Sequence, residues 1–103
     1  MVKDNNLDSA MLHLKAELSL KDVKEKDINR YIAHNKSFLM FFDKTPNYIS
    51  KDDIDTYLGF LASDKDMKRA IYHEIFGALK FFYIDVLKRK FEIDYSEEEL
   101  DIL

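Results

Sequence analysis

Two Gly and one Pro in 103 residues leave this chain little material for turns, although Gly and Pro are the strongest punctuators of a fold. Its apolar residues recur three and four apart, as they do on a helix face. No segment alternates apolar and polar residues over a useful length, so half-buried strands are not expected. The spacing of Leu7, Met11, Leu14 and Leu18 predicts a first helix from about Asp8 to Leu20, capped by Asp8 or Ser9. Ile28, Tyr31, Ile32, Phe38, Leu39 and Phe42 predict a long second helix over about Lys24 to Phe42. Pro46 then pushes Thr45 out of helical geometry. Ser50 followed by Asp53 reads as a capping box that opens a third helix, with Ile54, Tyr57, Leu58 and Leu61 on its buried face. Asp64 or Asp66 is expected to cap a fourth helix with the stripe Ile71, Ile75, Ala78, Leu79, Phe82 and Val86. That helix should end near Lys88-Arg89-Lys90, where cations suit the negative end of the dipole. Four helices with short connections predict a compact all-α four-helix bundle, and Ser96-Glu97-Glu98-Glu99 could begin one more helical turn.

Length fits one domain. Hydrophobic residues make up 47% of the chain, with eight Phe and six Tyr, enough for a small core and too many for a disordered segment. The absence of Cys excludes disulfides and thiolate metal sites. Met1 to Asn6 lacks the apolar run of a signal peptide, and no apolar stretch is long enough to span a bilayer. A cytoplasmic location is therefore expected, with no membrane partner. The net charge of −4 argues at first against a nucleic-acid partner. Residues 91–103, however, hold six of the 20 acidic residues and no Lys or Arg, which leaves 14 acidic against 16 basic residues and a body of +2.

No catalytic constellation stands out. The aromatic block Phe38, Phe41, Phe42, Phe76, Phe81, Phe82 and Tyr83 could stack bases, but its helical spacing favours core packing. His13, His34 and His73 lie at no metal-ligand spacing, and His73-Glu74 lacks the second His of a zinc-protease helix. Asp52-Asp53 and Glu97-Glu98 are adjacent, so their side chains diverge on a helix; capping and solubility explain them better than acid–base chemistry. Nucleotide-binding glycine loops and the nucleophile elbow are absent. No cofactor or metal is expected. Cations do gather at helix ends: Lys21, Lys24, Lys26 and Arg30 near the second helix, and Lys65, Lys68 and Arg69 near the fourth, with Lys80 about three turns on. Such starts suit phosphates. By charge alone they could equally be ordinary solvated surface, diluted by Glu25, Asp27, Asp64 and Asp66.

A longer pattern joins these segments. Ile28-x-x-Tyr31 precedes Phe38, Leu39, Phe41 and Phe42. Ile49-Ser50-Lys51-Asp52-Asp53-Ile54-Asp55-Thr56-Tyr57-Leu58 follows, then Ala70-Ile71, then Phe76-Gly77-Ala78-Leu79-Lys80-Phe81-Phe82-Tyr83. In order and separation this resembles the N-terminal core-binding domain of tyrosine recombinases, the phage integrases and Xer-type enzymes. The likeness runs from about Leu7 to Phe91. Each motif is degenerate, and their joint order is the more specific signal.

The resemblance implies a SAM-like helical bundle that forms one arm of a C-shaped clamp on recombination-site DNA, opposite a catalytic domain. The family's two DNA-facing helices match the second and fourth here. Lys24, Asp27 and Tyr31 occupy the first hydroxyl-rich motif, Met67 and Ala70 the second, and Lys80 the basic position before the final aromatic pair. Asp27 departs from the family's Thr, and a carboxylate there repels a phosphate; Met67 and Ala70 lack the usual hydroxyls. The implied DNA contacts are Lys24, Lys26, Arg30, Lys68, Arg69 and Lys80. Residues 1–91 would form the DNA-binding domain and residues 92–103 an acidic linker or tail toward a catalytic domain. In the family that domain supplies an Arg-His-Arg set and a nucleophilic Tyr. A region of that size is not in this chain, so none of its tyrosines is assigned as nucleophile and a non-catalytic fragment of a recombinase is expected. Implied partners are double-stranded DNA, the parent's catalytic domain and neighbouring protomers on DNA. The rival reading is a helical protein-interaction module whose exposed aromatic patch, drawn from Phe41, Phe81 and Tyr83, docks a partner helix.

Overall fold

The computed structural model describes the backbone of residues 3–90 and the side chains of residues 9–90. The described residues are all-α, as the apolar spacing predicts: four α-helices, a short 3₁₀ turn and a π-helical turn, with no strand among them. The chain divides into two units, residues 1–49 and 50–103. The segment from 91 to 103, including the helical turn expected at Ser96, lies outside the described residues.

In the first unit α1 (Lys3–Leu20) packs on α2 (Glu25–Phe42). Met11, Leu14 and Leu18 of α1 and Ile28, Phe38 and Leu39 of α2 are buried, each contributing roughly 1.5–3 kcal/mol of apolar burial as an upper estimate. Helix α1 starts earlier than the expected Asp8, so Asp8 and Ser9 lie inside it rather than at its cap; the side chain of Leu7 is outside the described residues. With almost no glycine to spare, the chain ends these helices on aspartates. Asp22 (φ 59°) and Asp43 (φ 55°) take the left-handed conformation, which Asp tolerates better than most residues. There Val23 N–H donates to Leu18 O at 3.3 Å and Lys44 N–H to Leu39 O at 3.3 Å, closing helix carbonyls. Thr45 is extended before Pro46, as a residue preceding proline should be, and Pro46–Tyr48 forms the 3₁₀ turn.

In the second unit α3 (Lys51–Ala62) begins as read. Asp53 N–H donates to Ser50 Oγ at 3.1 Å, and Ser50 N–H to Asp53 Oδ2 at 3.0 Å. This reciprocal box stabilises a helix by about 1 kcal/mol. Ile54, Tyr57, Leu58 and Leu61 are buried, the face the spacing predicts. Helix α4 (Arg69–Lys80) corrects the expected cap. Asp64 Oδ1 accepts from Asp66 N–H at 2.9 Å, and Asp64 O from Met67 N–H at 3.1 Å. The aspartate thus folds its own turn, a local preference of Asp, and the helix starts later with Lys68 at its N-cap. The stripe shifts too. Ile71 is 40% exposed, while Tyr72, with the larger apolar ring to remove from water, is fully buried alongside Ile75, Ala78 and Leu79.

Beyond Lys80 the helix widens into a π turn, Phe81–Val86, where Leu87 N–H donates five residues back to Phe82 O at 2.9 Å. Phe82 and Tyr83 are both fully buried, their rings edge-on at 5.0 Å. Helical geometry ends at Lys88 (φ 57°), near the expected stop.

Candidate functional site

The six cations implied by the resemblance are all exposed, three in each unit. Lys24 is the N-cap of α2 in extended geometry, and its side chain makes no capping hydrogen bond. Lys26 and Arg30, one turn apart, lie on the helix face opposite buried Ile28, Asn35, Phe38 and Leu39. Two carboxylates interleave with them. Glu25 and Asp27 sit in the first turn, and Arg30 Nη1 lies 3.9 Å from Asp27 Oδ1. Both partners are well solvated, so this pair contributes little to stability, yet it offsets part of Arg30's field. An open groove beside this helix start is lined by Lys15, Ser19, Asp22, Val23, Glu25 and Ile28, again of mixed charge.

The start of α4 is cleaner. Lys68 is the N-cap, also without a side-chain cap, and Arg69 follows as the first helical residue; no acid occupies the first turn. Lys80 is the last residue of α4, about 16 Å along the axis from Arg69 at 1.5 Å per residue. Eleven positions are close to three whole turns, so both project from one stripe of the helix. The Lys80 ammonium lies 6.0 Å from the centre of the Phe76 ring.

The remaining candidates sort by burial. Phe38, Phe82 and Tyr83 are core, Phe42, Phe76 and Phe81 are half-buried, and Phe41 is 48% exposed. Tyr83 therefore leaves the expected surface patch. Burial raises the Tyr83 hydroxyl well above its ordinary pKa of 10.0; Arg89 lowers it in part and Asp53 raises it further. Burial raises Tyr57 as well. Met40, Tyr48 and Phe60, which the apolar spacing did not single out, are more than half exposed. The fully buried Asn35, also missed, donates its Nδ2 hydrogen to Tyr31 O at 3.0 Å; its position seven residues after Ile28 was the available signal.

Of the histidines, His13 lies 3.8 Å from Glu17 on the exposed side of α1. His34 and His73 are half-buried, and the His73 ring stands edge-on to Tyr72 at 6.4 Å. Among the described residues no group of three or more His, Asp or Glu could hold a metal ion, and no helix is long and apolar enough to cross a membrane. The described side chains thus offer cations at two helix starts. Such an arrangement can hold phosphate groups by charge and by the helix N–H groups. No curated protein and no solved structure matches the chain significantly. A family model does, over residues 11–93: the phage integrase N-terminal SAM-like domain.

Proposed function

The chain belongs to the N-terminal SAM-like domains of phage integrases, and from that premise we propose that it is the core-binding, DNA-gripping domain of a tyrosine recombinase. In this reading Lys68, Arg69 and Lys80 of α4, with Lys24, Lys26 and Arg30 of α2, hold backbone phosphates of recombination-site DNA. A separate catalytic domain of the parent carries out the strand chemistry, and residues 92–103 lead toward it. The observation that carries the reading is the start of α4, where two cations meet an N-cap without a side-chain cap and a first turn without an acid.

Phosphate contacts position a protein on a duplex and carry no sequence information themselves. With a body of only +2, binding by this domain is expected to be weak and steeply salt-dependent, gaining strength by linkage to the catalytic domain. An amide-shift NMR titration of the chain with short duplexes tests this. Shifts at the starts of α2 and α4 that vanish as salt is raised are the expected result. No shift with several duplexes at low salt would remove the proposal. It would favour protein docking through exposed Met40, Phe41 and Tyr48, which salt does not weaken in the same way.

A further inference from the structure

Between Arg69 and Lys80, the same stripe of α4 carries two more side chains. His73 lies four residues after Arg69, and Phe76 four before Lys80. At 100° per residue these four positions fall within about 60° of one another, on a flank of the helix that borders buried Tyr72 and turns away from buried Ile75 and Ala78. Glu74, the one acid of α4, is off the stripe. The line therefore reads cation, imidazole, aromatic ring, cation, with no carboxylate along it.

Resting on the reading of α4 as a DNA-facing helix, we propose that His73 is a further contact to the DNA, its ring N–H donating to a backbone phosphate oxygen between the phosphates held by Arg69 and Lys80. Three observations converge on this. His73 is half-buried, with part of its ring open to solvent, and is flanked on its own stripe by cations on both sides. An imidazole carries at least one N–H in either tautomer. The edge-on Tyr72 ring beside it is itself fully buried, so the imidazole leans on an ordered wall and loses less freedom on binding than a lysine would. Phe76 fills the remaining place and sets the Lys80 ammonium beside its ring.

Duplex binding of the full chain, followed by fluorescence anisotropy over a salt series and with several unrelated sequences, tests the assignment. His73→Ala should weaken binding by about three- to ten-fold, the range of one lost ordinary hydrogen bond, and by the same factor on every duplex, as for a phosphate contact. His73→Lys should recover the affinity and steepen the dependence of log K on log salt by about 0.9, one added phosphate neutralised. A loss in His73→Ala that is uniform over all duplexes, and that the unrelated shape of lysine restores, is not expected of a purely structural role. Affinity of His73→Ala within about two-fold of the parent, a loss confined to one sequence, or a His73→Lys variant that melts normally and leaves the slope unchanged would each overturn it. If the parent chain itself shows no salt-dependent binding, or Lys68→Glu with Arg69→Glu leaves binding intact, the DNA-facing reading of α4 fails and takes this inference with it. An effect of Lys68 and Arg69 without one of His73 removes the inference alone.

Discussion

Helices α3 and α4 have the same length, twelve residues, and open in opposite ways. The start of α3 is closed by its own side chains: Ser50 accepts from the backbone at Asp53, and Asp53 accepts from the backbone at Ser50. Two acids in its first turn add negative charge where the dipole favours it. Helix α4 has Lys68 at the same place, a residue that has donors and no acceptor to offer. Its dipole is met by two cations, an arrangement that costs stability in isolation and suits an external anion. A start that completes its own hydrogen bonds serves the fold, whereas one that sets cations at its own positive end leaves its N–H groups open to an external anion.

Reversing the charge at α4 is the strongest way to break this contrast. Lys68→Glu with Arg69→Glu should lower duplex affinity on the order of 10- to 100-fold at low salt and flatten the salt slope by about 1.8, two phosphates' worth. The same variant should melt no lower than the parent, because carboxylates at a helix start gain about 0.3–1 kcal/mol each from the dipole. Affinity and stability moving in opposite directions would separate a binding role from a structural one. Unchanged affinity would end the distinction between the two starts.

The ends of the two helices differ as much as their beginnings. Helix α3 stops at Ala62, while α4 runs on into the π turn that buries Tyr83. Below pH 10 the Tyr83 hydroxyl keeps its proton in folded and unfolded chains alike, so it adds no pH dependence. Above pH 10 the unfolded chain releases that proton and the folded one does not, since burial holds the folded pKa well above 10.0. The unfolded state then binds fewer protons, and stability falls by up to about 1.4 kcal/mol per pH unit. Urea unfolding at pH 9, 10 and 11 should show this decline, and Tyr83→Phe should make it shallower by that slope. An equal decline in both proteins would mean that the π turn does not exclude water from the ring.

How far these features could be read in advance depended on how local they are. The capping box of α3 lies within three residues, so Ser50 and Asp53 declare it in the sequence. The start of α4 was misread because Asp64 and Asp66 are good caps in type; whether such a residue caps a helix or folds its own turn is decided by packing further along. Ile71 and Tyr72 exchanged places because both border the stripe of Ile75, Ala78 and Leu79, and the larger ring of Tyr72 takes the buried side. The burial of Tyr83 was legible in the helical period, since it lies four residues after Leu79 and eleven after Tyr72, whereas the widening of the helix at Phe81 was not. Cation identity was legible at all six positions, yet the distinction between Lys24, diluted by Glu25 and Asp27, and Lys68, with no acid in its first turn, required knowing where each helix begins.

The smallest effect sharpens the comparison from the other side. Ser50→Ala removes the oxygen that accepts from Asp53 N–H and should cost about 1 kcal/mol of stability, read as a lower urea midpoint with unchanged slope. Lys68 and Arg69 remain in place, so duplex affinity measured well below the melting temperature should stay within about two-fold of the parent, since no phosphate contact is lost. A matching fall in affinity would mean that α3's start supports the binding face through the second unit, and that its closed cap serves DNA as well as the fold. Stability lost without affinity would leave the two starts with separate tasks, one holding the helix and the other holding the phosphate.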